Sequence, residues 1–380
     1  MAEQVRNLKA KYDVVVITTY GATLSQRKFK PIHQFQGRVH VYSIPYQRFW
    51  LTWPARVSQR LFLSATVFLD KLFTSREACN LARRLHERYR FSLVHGHEVL
   101  VGDEAARIGR ALGIPSVFTL HGLRAYHEIL FGRRSVDRAI DNLNATDQLI
   151  AVSNLAAQSY KDHHVIRRFE IIPNGVTLQQ RISRKAIPPE IADFVRGKLV
   201  FLTVGFFVAE KRIEMAIKTL GELHRNGMTN AVLLIVGRGP LEGRIRQTIR
   251  QENLGDAVRI VGEVPPKNMP AYYSLTDILI HPSVVDSLSM VCLEAMSHAI
   301  PVICTSKIGL VQYVHQGQDA VIVPPDDQVS LYRAALQLVR NPSKRRAIGG
   351  KARRTASNLS WNKITPRIER VYEKALQASG

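Results

Sequence analysis

The stretch His281-Pro-Ser-Val-Val-Asp286-Ser-Leu-Ser-Met-Val-Cys-Leu-Glu294-Ala-Met-Ser-His-Ala-Ile-Pro301-Val-Ile-Cys304 decides how this 380-residue chain is read. The apolar run Ile278–Ile280 reads as a buried strand ending at His281. A polar loop carrying Asp286 follows, and the spacing from Ser289 onward predicts a helix with Glu294 about one turn inside it. Strand, loop and helix in this order build a crevice at the carboxyl end of a sheet. There the unpaired amides and the dipole of the helix N-terminus favour an anion. The two carboxylates bracket that crevice, placed to accept hydrogen bonds from hydroxyl groups while the amides hold phosphate. Any doubly wound fold offers such a crevice, and an acid in a loop or on a helix is as readily a cap or a solvated residue.

Outward from this stretch, apolar strands alternate with amphipathic segments, which argues for α/β architecture with parallel sheets. In the second half the strands fall at Leu199–Val204, Ala231–Val236, Val258–Val261, Ile278–Ile280, Val302–Cys304 and Ala320–Val323. In the first half they fall at Tyr12–Thr18, Arg38–Tyr42, Ser92–His95, Ser116–Leu120, Gln148–Val152 and Glu170–Ile172. A polar, basic stretch, Thr177–Lys198, separates the two series. The expected domains are therefore 1–190, 191–358 and a closing helix in 359–380 that needs a surface to cover. The opening is anomalous. Gln4–Lys11 reads as the end of a helix that runs directly into Asp13-Val-Val-Val-Ile17, without the strand and glycine turn that normally begin a doubly wound domain. The expectation is a native start upstream of Met1, or instability of this chain alone.

Composition narrows the classes. Three widely spaced cysteines, Cys79, Cys292 and Cys304, exclude a disulfide framework and a cysteine zinc knuckle, and suit a reducing cytosol. No run of about 18 apolar residues spans a membrane, and the first residues are not a secretory leader. The formal net charge of +22 favours anionic partners. No aromatic-interleaved basic platform accompanies it, so nucleic acid is not the expected partner. Residues Tyr46–Phe73 mix aromatic and basic side chains, such as Phe49, Trp50, Trp53, Arg56 and Arg60, which suits an anionic membrane surface as well as an ordinary aromatic loop and core helix.

At this point the ordered motifs resemble the retaining glycosyltransferases of family four. The segment Asp286-x7-Glu294 is similar to that family's Glu-x7-Glu signature. In the same order come His95-x-His97, Thr119-Leu-His121-Gly122, Ile172-Pro-Asn-Gly175-Val, Val204-Gly205 with Glu210-Lys211, Ile235-Val-Gly237-Arg-Gly239, and Tyr272–Ser283. The resemblance covers nearly the whole chain, is strongest from 199 to 325 and is weak from 19 to 90. It implies the GT-B fold, two facing Rossmann-like domains with a central cleft, here without the first strand of the N-terminal domain. It implies transfer of a sugar from a UDP- or GDP-linked nucleotide-sugar donor to a glycan or lipid-linked acceptor, with no cofactor.

The resemblance also implies roles. Glu294 would contact the ribose, and Asp286, shorter by one methylene than the usual glutamate, the donor sugar. Ser287, Leu288 and Ser289 would offer amides to phosphate and sugar, Lys211 would neutralise the diphosphate, and His121 would face the sugar. Gly205 and Gly237 belong to the turns that approach the donor. The family's partner arginine falls at Phe206, so Arg212 or Arg238 would have to compensate. With no Asp-x-Asp pair and no third ligand beside His95 and His97, the chemistry reads as metal-independent. Three rivals stand beside this reading. Gly237-x-Gly239-x3-Gly243 is one residue off a dinucleotide fingerprint. A nucleotide-sugar epimerase shares the broad fold. A degenerate, partner-binding protein would account for Phe206 and Asp286.

Overall fold

A computed structural model describes residues 11–22, 32–36, 39–47, 76–99, 104–131, 133–162, 164–178 and 187–378, with residues 4, 7 and 8 before them. The Tyr46–Phe73 segment considered for membrane contact lies almost entirely outside the described residues. Among the described residues no helix is long and apolar enough to cross a membrane. The chain divides into two compact units: residues 1–173 with 361–380, and residues 174–360. The dividing point precedes residue 190 because Val176 already belongs to the second unit. Its N–H donates to Leu359 O, and it bridges to Ser360.

Thirteen strands are described, in chain order: β1 (Val14–Ala22), β2 (Ile32–Gln36), β3 (Val39–Gln47), β4 (Val94–His97), β5 (Ser116–Leu120), β6 (Gln148–Ala151), β7 (Phe169–Ile171), β8 (Leu199–Val204), β9 (Ala231–Val236), β10 (Val258–Gly262), β11 (Ile278–His281), β12 (Val302–Thr305) and β13 (Val321–Val323). In the second unit six of them form one parallel sheet in the order β10-β9-β8-β11-β12-β13. The sequence Ala-Val-Leu-Leu-Ile-Val of β9 is buried at every position, the pattern of a strand covered on both faces. Ile217, Leu220 and Leu223 of helix Ile213–Arg225, and Leu331, Ala335 and Leu338 of helix Gln328–Arg340, belong to the same core as Leu233 and Ile235. Strand order reverses between β8 and β11, so their carboxyl ends diverge and leave a crevice where ligands of open α/β sheets bind.

The first unit holds a parallel sheet β4-β5-β6-β7 and a three-stranded sheet β1-β3-β2. β2 runs antiparallel to β3, an addition to the parallel sheets that the alternating pattern argued for. Only residues 37 and 38 separate the two strands in sequence, too few for the crossover a parallel pair requires, and Gly37-Arg38 is itself a hairpin signal. Helix Trp361–Gln377 completes the unit, burying Trp361, Ile364, Ile368 and Val371. Its Arg367 donates to Ile171 O at 2.7 Å, and its Lys374 pairs with Glu170.

Candidate active site

Three turns meet at the carboxyl ends of β8, β9 and β10. Gly205 N–H donates to Val236 O, Gly237 N–H to Gly262 O, and Phe207 N–H to Arg238 O at 2.8 Å. Backbone lies so close to backbone that a Cβ on Gly237 would stand 1.9 Å from Gly205 O, and Gly237 has φ +138°. Both constraints select glycine. The turn continues through Ala209–Lys211 into helix Ile213–Arg225. The loop after β11 docks on it, with Val284 N–H and the Ser283 hydroxyl both donating to Glu210 O. Thr305, at the end of β12, donates its hydroxyl to Ser283 O from the other side.

This docking brings Lys211 and Asp286 together. Lys211 Nζ lies 2.8 Å from Asp286 Oδ2, while Asp286 Oδ1 accepts the Ser289 N–H at 3.0 Å, at the start of helix Met290–Ser297. His281, buried at the end of β11, places Nε2 3.4 Å from the same Oδ2, close enough for a neutral N–H to favour the carboxylate though not aligned as a regular hydrogen bond. Burial alone would raise the Asp286 pKa, but His281 and the Lys211 charge outweigh it and hold the carboxyl well below the usual carboxylate range. Burial keeps His281 neutral by pushing its pKa down. Asp286 thus spends both oxygens on capping the helix and aiming the lysine. Ser287 and Leu288 lie between these anchors, and Ser289 takes a positive φ of 69° to make the turn.

Glu294 sits on the same helix, half-buried, and accepts the Tyr273 hydroxyl at 2.7 Å on Oε2. Burial raises its pKa, and the Tyr273 bond partly restores the charged form. Behind it, Ser297 Oγ and His298 Nδ1 donate to Glu294 O at 2.6 and 2.9 Å. Tyr273 and His298 stack with centroids 5.1 Å apart. The two candidates to replace the absent arginine are engaged with carboxylates. Arg212 forms a two-pronged pair with Asp326, at 2.6 and 3.2 Å, and Arg238 lies 2.7 Å from Glu263. Phe206 itself is half-exposed.

In the first unit, β4 ends in His97 and His121 directly follows β5. His97 and His121 share a hydrogen bond of 3.0 Å between Nδ1 and Nε2, and His95 stacks on His97 at 4.2 Å. His95 is held by the Tyr372 hydroxyl at 2.7 Å and the Thr119 hydroxyl at 2.8 Å. Burial pushes His95 down to about 3 and His121 to about 4, and lowers His97 as well. These are neutral imidazoles at physiological pH, fixed as hydrogen-bonding groups rather than cations. Beside them His127 bridges Glu98 Oε1 and the Tyr160 hydroxyl. Among the described residues no group of three His, Cys, Asp or Glu side chains converges as a metal site would.

The structure therefore gathers Gly205, Lys211, Gly237, Asp286, Ser287, Leu288 and Ser289 around the switch point, turns Arg212 toward Asp326, and sets His121 in a separate cluster of the first unit. Tyr273 and His281 escaped the sequence reading as site residues. His281 reads only as the end of a strand, and Tyr273 sits beside the motif tyrosine Tyr272, with no feature of its own to show that it reaches Glu294.

Residues 188–355 match the profile of Glycosyl transferases group 1, and residues 1–180 that of Glycosyltransferase Family 4. The chain belongs to this family and is a glycosyltransferase with the GT-B fold. An uncharacterised glycosyltransferase of Methanocaldococcus jannaschii is 25% identical over 78% of this chain and 79% of its own. One component of the phosphatidylinositol N-acetylglucosaminyltransferase of Arabidopsis thaliana is 24% identical over 98% of this chain and 77% of its own. Among solved structures, trehalose-6-phosphate from E. coli bound with UDP-2-fluoro glucose superposes with a TM-score of 0.75 at 13% identity, over 97% of this chain and 95% of that one.

Proposed function

We propose that the chain transfers a sugar, with retention of anomeric configuration, from a nucleotide-diphosphate sugar to a hydroxyl of a glycan or lipid-linked acceptor, without a metal ion. The observation that carries this reading is the Lys211–Asp286–Ser289 arrangement at the β8/β11 switch point, with Glu294 one helix turn away. A lysine held by a helix-capping carboxylate keeps further N–H donors for phosphate oxygens. It supplies locally the positive charge that a divalent cation provides in other transferases. The Glu294 carboxylate, oriented by Tyr273, suits a pair of ribose hydroxyls. The nucleotide sugar named with the E. coli structure supports a UDP-linked donor, and the Arabidopsis relative's name supports a lipid-linked acceptor.

In the reaction the acceptor oxygen bonds to the anomeric carbon as the bond from that carbon to the diphosphate oxygen breaks. The electron pair leaves with the diphosphate, where Lys211 stabilises it, and the acceptor proton passes to a departing phosphate oxygen on the same face of the sugar. No side chain at the site stands in for a nucleophile in this scheme. His121, neutral and locked to His97, would accept or donate a hydrogen bond to a sugar hydroxyl without adding charge. Two measurements test the reading. NMR of the product anomer should show retention, and an inverted product overturns the mechanism. Activity should survive EDTA, and its loss with recovery on adding a divalent cation overturns metal independence.

A further inference from the structure

At the opposite end of the same sheet, where β11 and β12 begin, a cavity of about 350 Å³ opens between the segment from Tyr273 to Asp277, the turn from Ser297 to Pro301, and helix Pro342–Asn358. That helix carries Lys344, Arg345, Arg346, Lys351, Arg353 and Arg354 and no acidic residue. Arg345, Arg346 and Arg353 line the cavity. At separations of seven and eight residues they lie on one face of the helix, two turns apart. Gly349 lets this helix approach closely, since a Cβ there would meet Ala299 O at 2.0 Å.

The three guanidinium groups are not held as others in this unit are. Among the described residues Arg212, Arg225, Arg238, Arg244 and Arg246 each hold a carboxylate, whereas Arg346 and Arg353 hold none. Arg345 is half-buried and anchored through Nη1 to Leu338 O at 2.9 Å, which fixes one prong and leaves the others to face the cavity. The one acid in the lining, Asp277, is already occupied by the Val200 N–H at 2.9 Å. His298 donates its Nδ1–H to Glu294 O, so its buried, unpartnered Nε2 is an acceptor, able to take a hydrogen bond from a protonated phosphate oxygen. Ser274, Thr276 and Ser297 also line the cavity, but each hydroxyl already donates to a backbone carbonyl, so the guanidinium groups are what meets an anion.

We propose that this cavity is a second anion site, separate from the donor crevice, taking the phosphate group of a phosphorylated small molecule or lipid headgroup and linked to Glu294. Several guanidinium forks with a net surplus of charge match a multivalent, hydrogen-bond-accepting anion better than a single carboxylate. The link runs through three lining residues that each bond Glu294: Tyr273 on its carboxylate, Ser297 and His298 on its carbonyl. The site itself stands independently of the proposed function. The link rests on Glu294 binding the donor, and reciprocity then requires the anion and the nucleotide to alter each other's affinity.

The test is isothermal titration of the full chain with inorganic phosphate at matched ionic strength, for the wild type, Lys211→Ala, and the double variant Arg346→Ser/Arg353→Ser. Both arginines are exposed, so the double variant should keep its melting temperature. The site is established if wild type and Lys211→Ala bind phosphate alike and the double variant binds at least about tenfold more weakly. Sedimentation with phosphatidylcholine vesicles containing phosphatidic acid identifies the source: vesicle binding lost in the double variant, with weak binding of free phosphate, assigns a headgroup. Phosphate binding lost in Lys211→Ala but kept in the double variant places the anion in the donor crevice and overturns the proposal. Absence of both phosphate and vesicle binding does the same. For the link, UDP affinity should change with phosphate in the wild type and stay constant in the double variant. UDP binding that ignores phosphate in the wild type overturns the link, and no UDP binding at all condemns the donor-site reading instead.

Discussion

The two units hold their candidate site residues in opposite electrical states. At the carboxyl end of the β8/β11 pair, a lysine ammonium and an aspartate carboxylate face each other at 2.8 Å, and the lysine charge helps hold the carboxyl below its ordinary range. At the carboxyl end of β4 and β5, His95, His97 and His121 are half-buried without a carboxylate among their hydrogen-bond partners, so desolvation wins and they stay neutral. Both sites occupy the same position on a parallel sheet. The difference lies in what was buried beside the titrating group: one site keeps a charged pair, which the proposed reaction would set against phosphate, and the other keeps neutral rings, which it would set against sugar hydroxyls.

Removing the charged side should have the largest effect. Lys211→Ala is expected to lower kcat/KM by roughly 10²–10³-fold, the usual scale for losing one preorganised charge-stabilising donor. The fold should survive, because Asp286 still caps Ser289. Lys211→Arg should recover part of the loss. A variant with unchanged kcat/KM would break the comparison at its centre. Glu294→Gln comes next. It keeps the shape but removes the charge that strengthens two hydroxyl hydrogen bonds, so the donor KM should rise about 10–100-fold, corresponding to the 1.5–3 kcal/mol typical of bonds to charged groups. A rise in acceptor KM instead would move Glu294 out of the donor site.

The neutral cluster makes a prediction about stability rather than rate. His95 and His121 titrate at about 3 and about 4 in the folded protein, against 6.5 unperturbed. The unfolded chain therefore takes up protons first, and the stability these groups contribute is intact above pH 6.5 and is lost as pH falls toward 4. Asp286, held low, loses its contribution only below its ordinary value of 3.8, and Glu294, raised by burial, acts with the opposite sign. Melting curves from about pH 7.5 to 4.5 should fall on the acid side, and His121→Gln should flatten that slope. A level wild-type profile would show that the imidazoles are not held neutral.

How much of this was legible in the sequence follows the same division. Unbroken apolar runs such as Leu199–Val204 and Ala231–Val236 match β8 and β9 to the residue; period cannot tell such a run from a buried helix, but six residues closed by a glycine suit a strand covered on both faces. β2 was not read, because Ile32-His-Gln-Phe-Gln has no strict alternation and draws its strand character from pairing with β3. At the site, Lys211, Asp286 and Glu294 were visible as residues at motif spacing, but their partners were not. The engagement of both Asp286 oxygens depends on the loop after β11 docking on Glu210 O, and that of Arg212 on an aspartate more than a hundred residues away. Such pairings are set by tertiary packing, to which one-dimensional spacing is blind.

Tyr273 offers the smallest and most discriminating change. Its hydroxyl donates to Glu294 Oε2 at 2.7 Å from within a buried environment. Tyr273→Phe removes that bond while keeping the ring that stacks on His298. The loss of one hydrogen bond to a carboxylate that stays partly solvated should cost about 1 kcal/mol, or roughly fivefold in donor KM, with kcat little changed. The same bond lowers the Glu294 pKa against burial, so its removal should raise that pKa and move the acid limb of donor binding to higher pH. A merely structural tyrosine would weaken binding equally at every pH. Donor KM measured from about pH 5 to 8 for wild type and Tyr273→Phe separates the two: a parallel offset makes Tyr273 a packing residue, and a shifted limb makes it the group that keeps Glu294 charged for the donor.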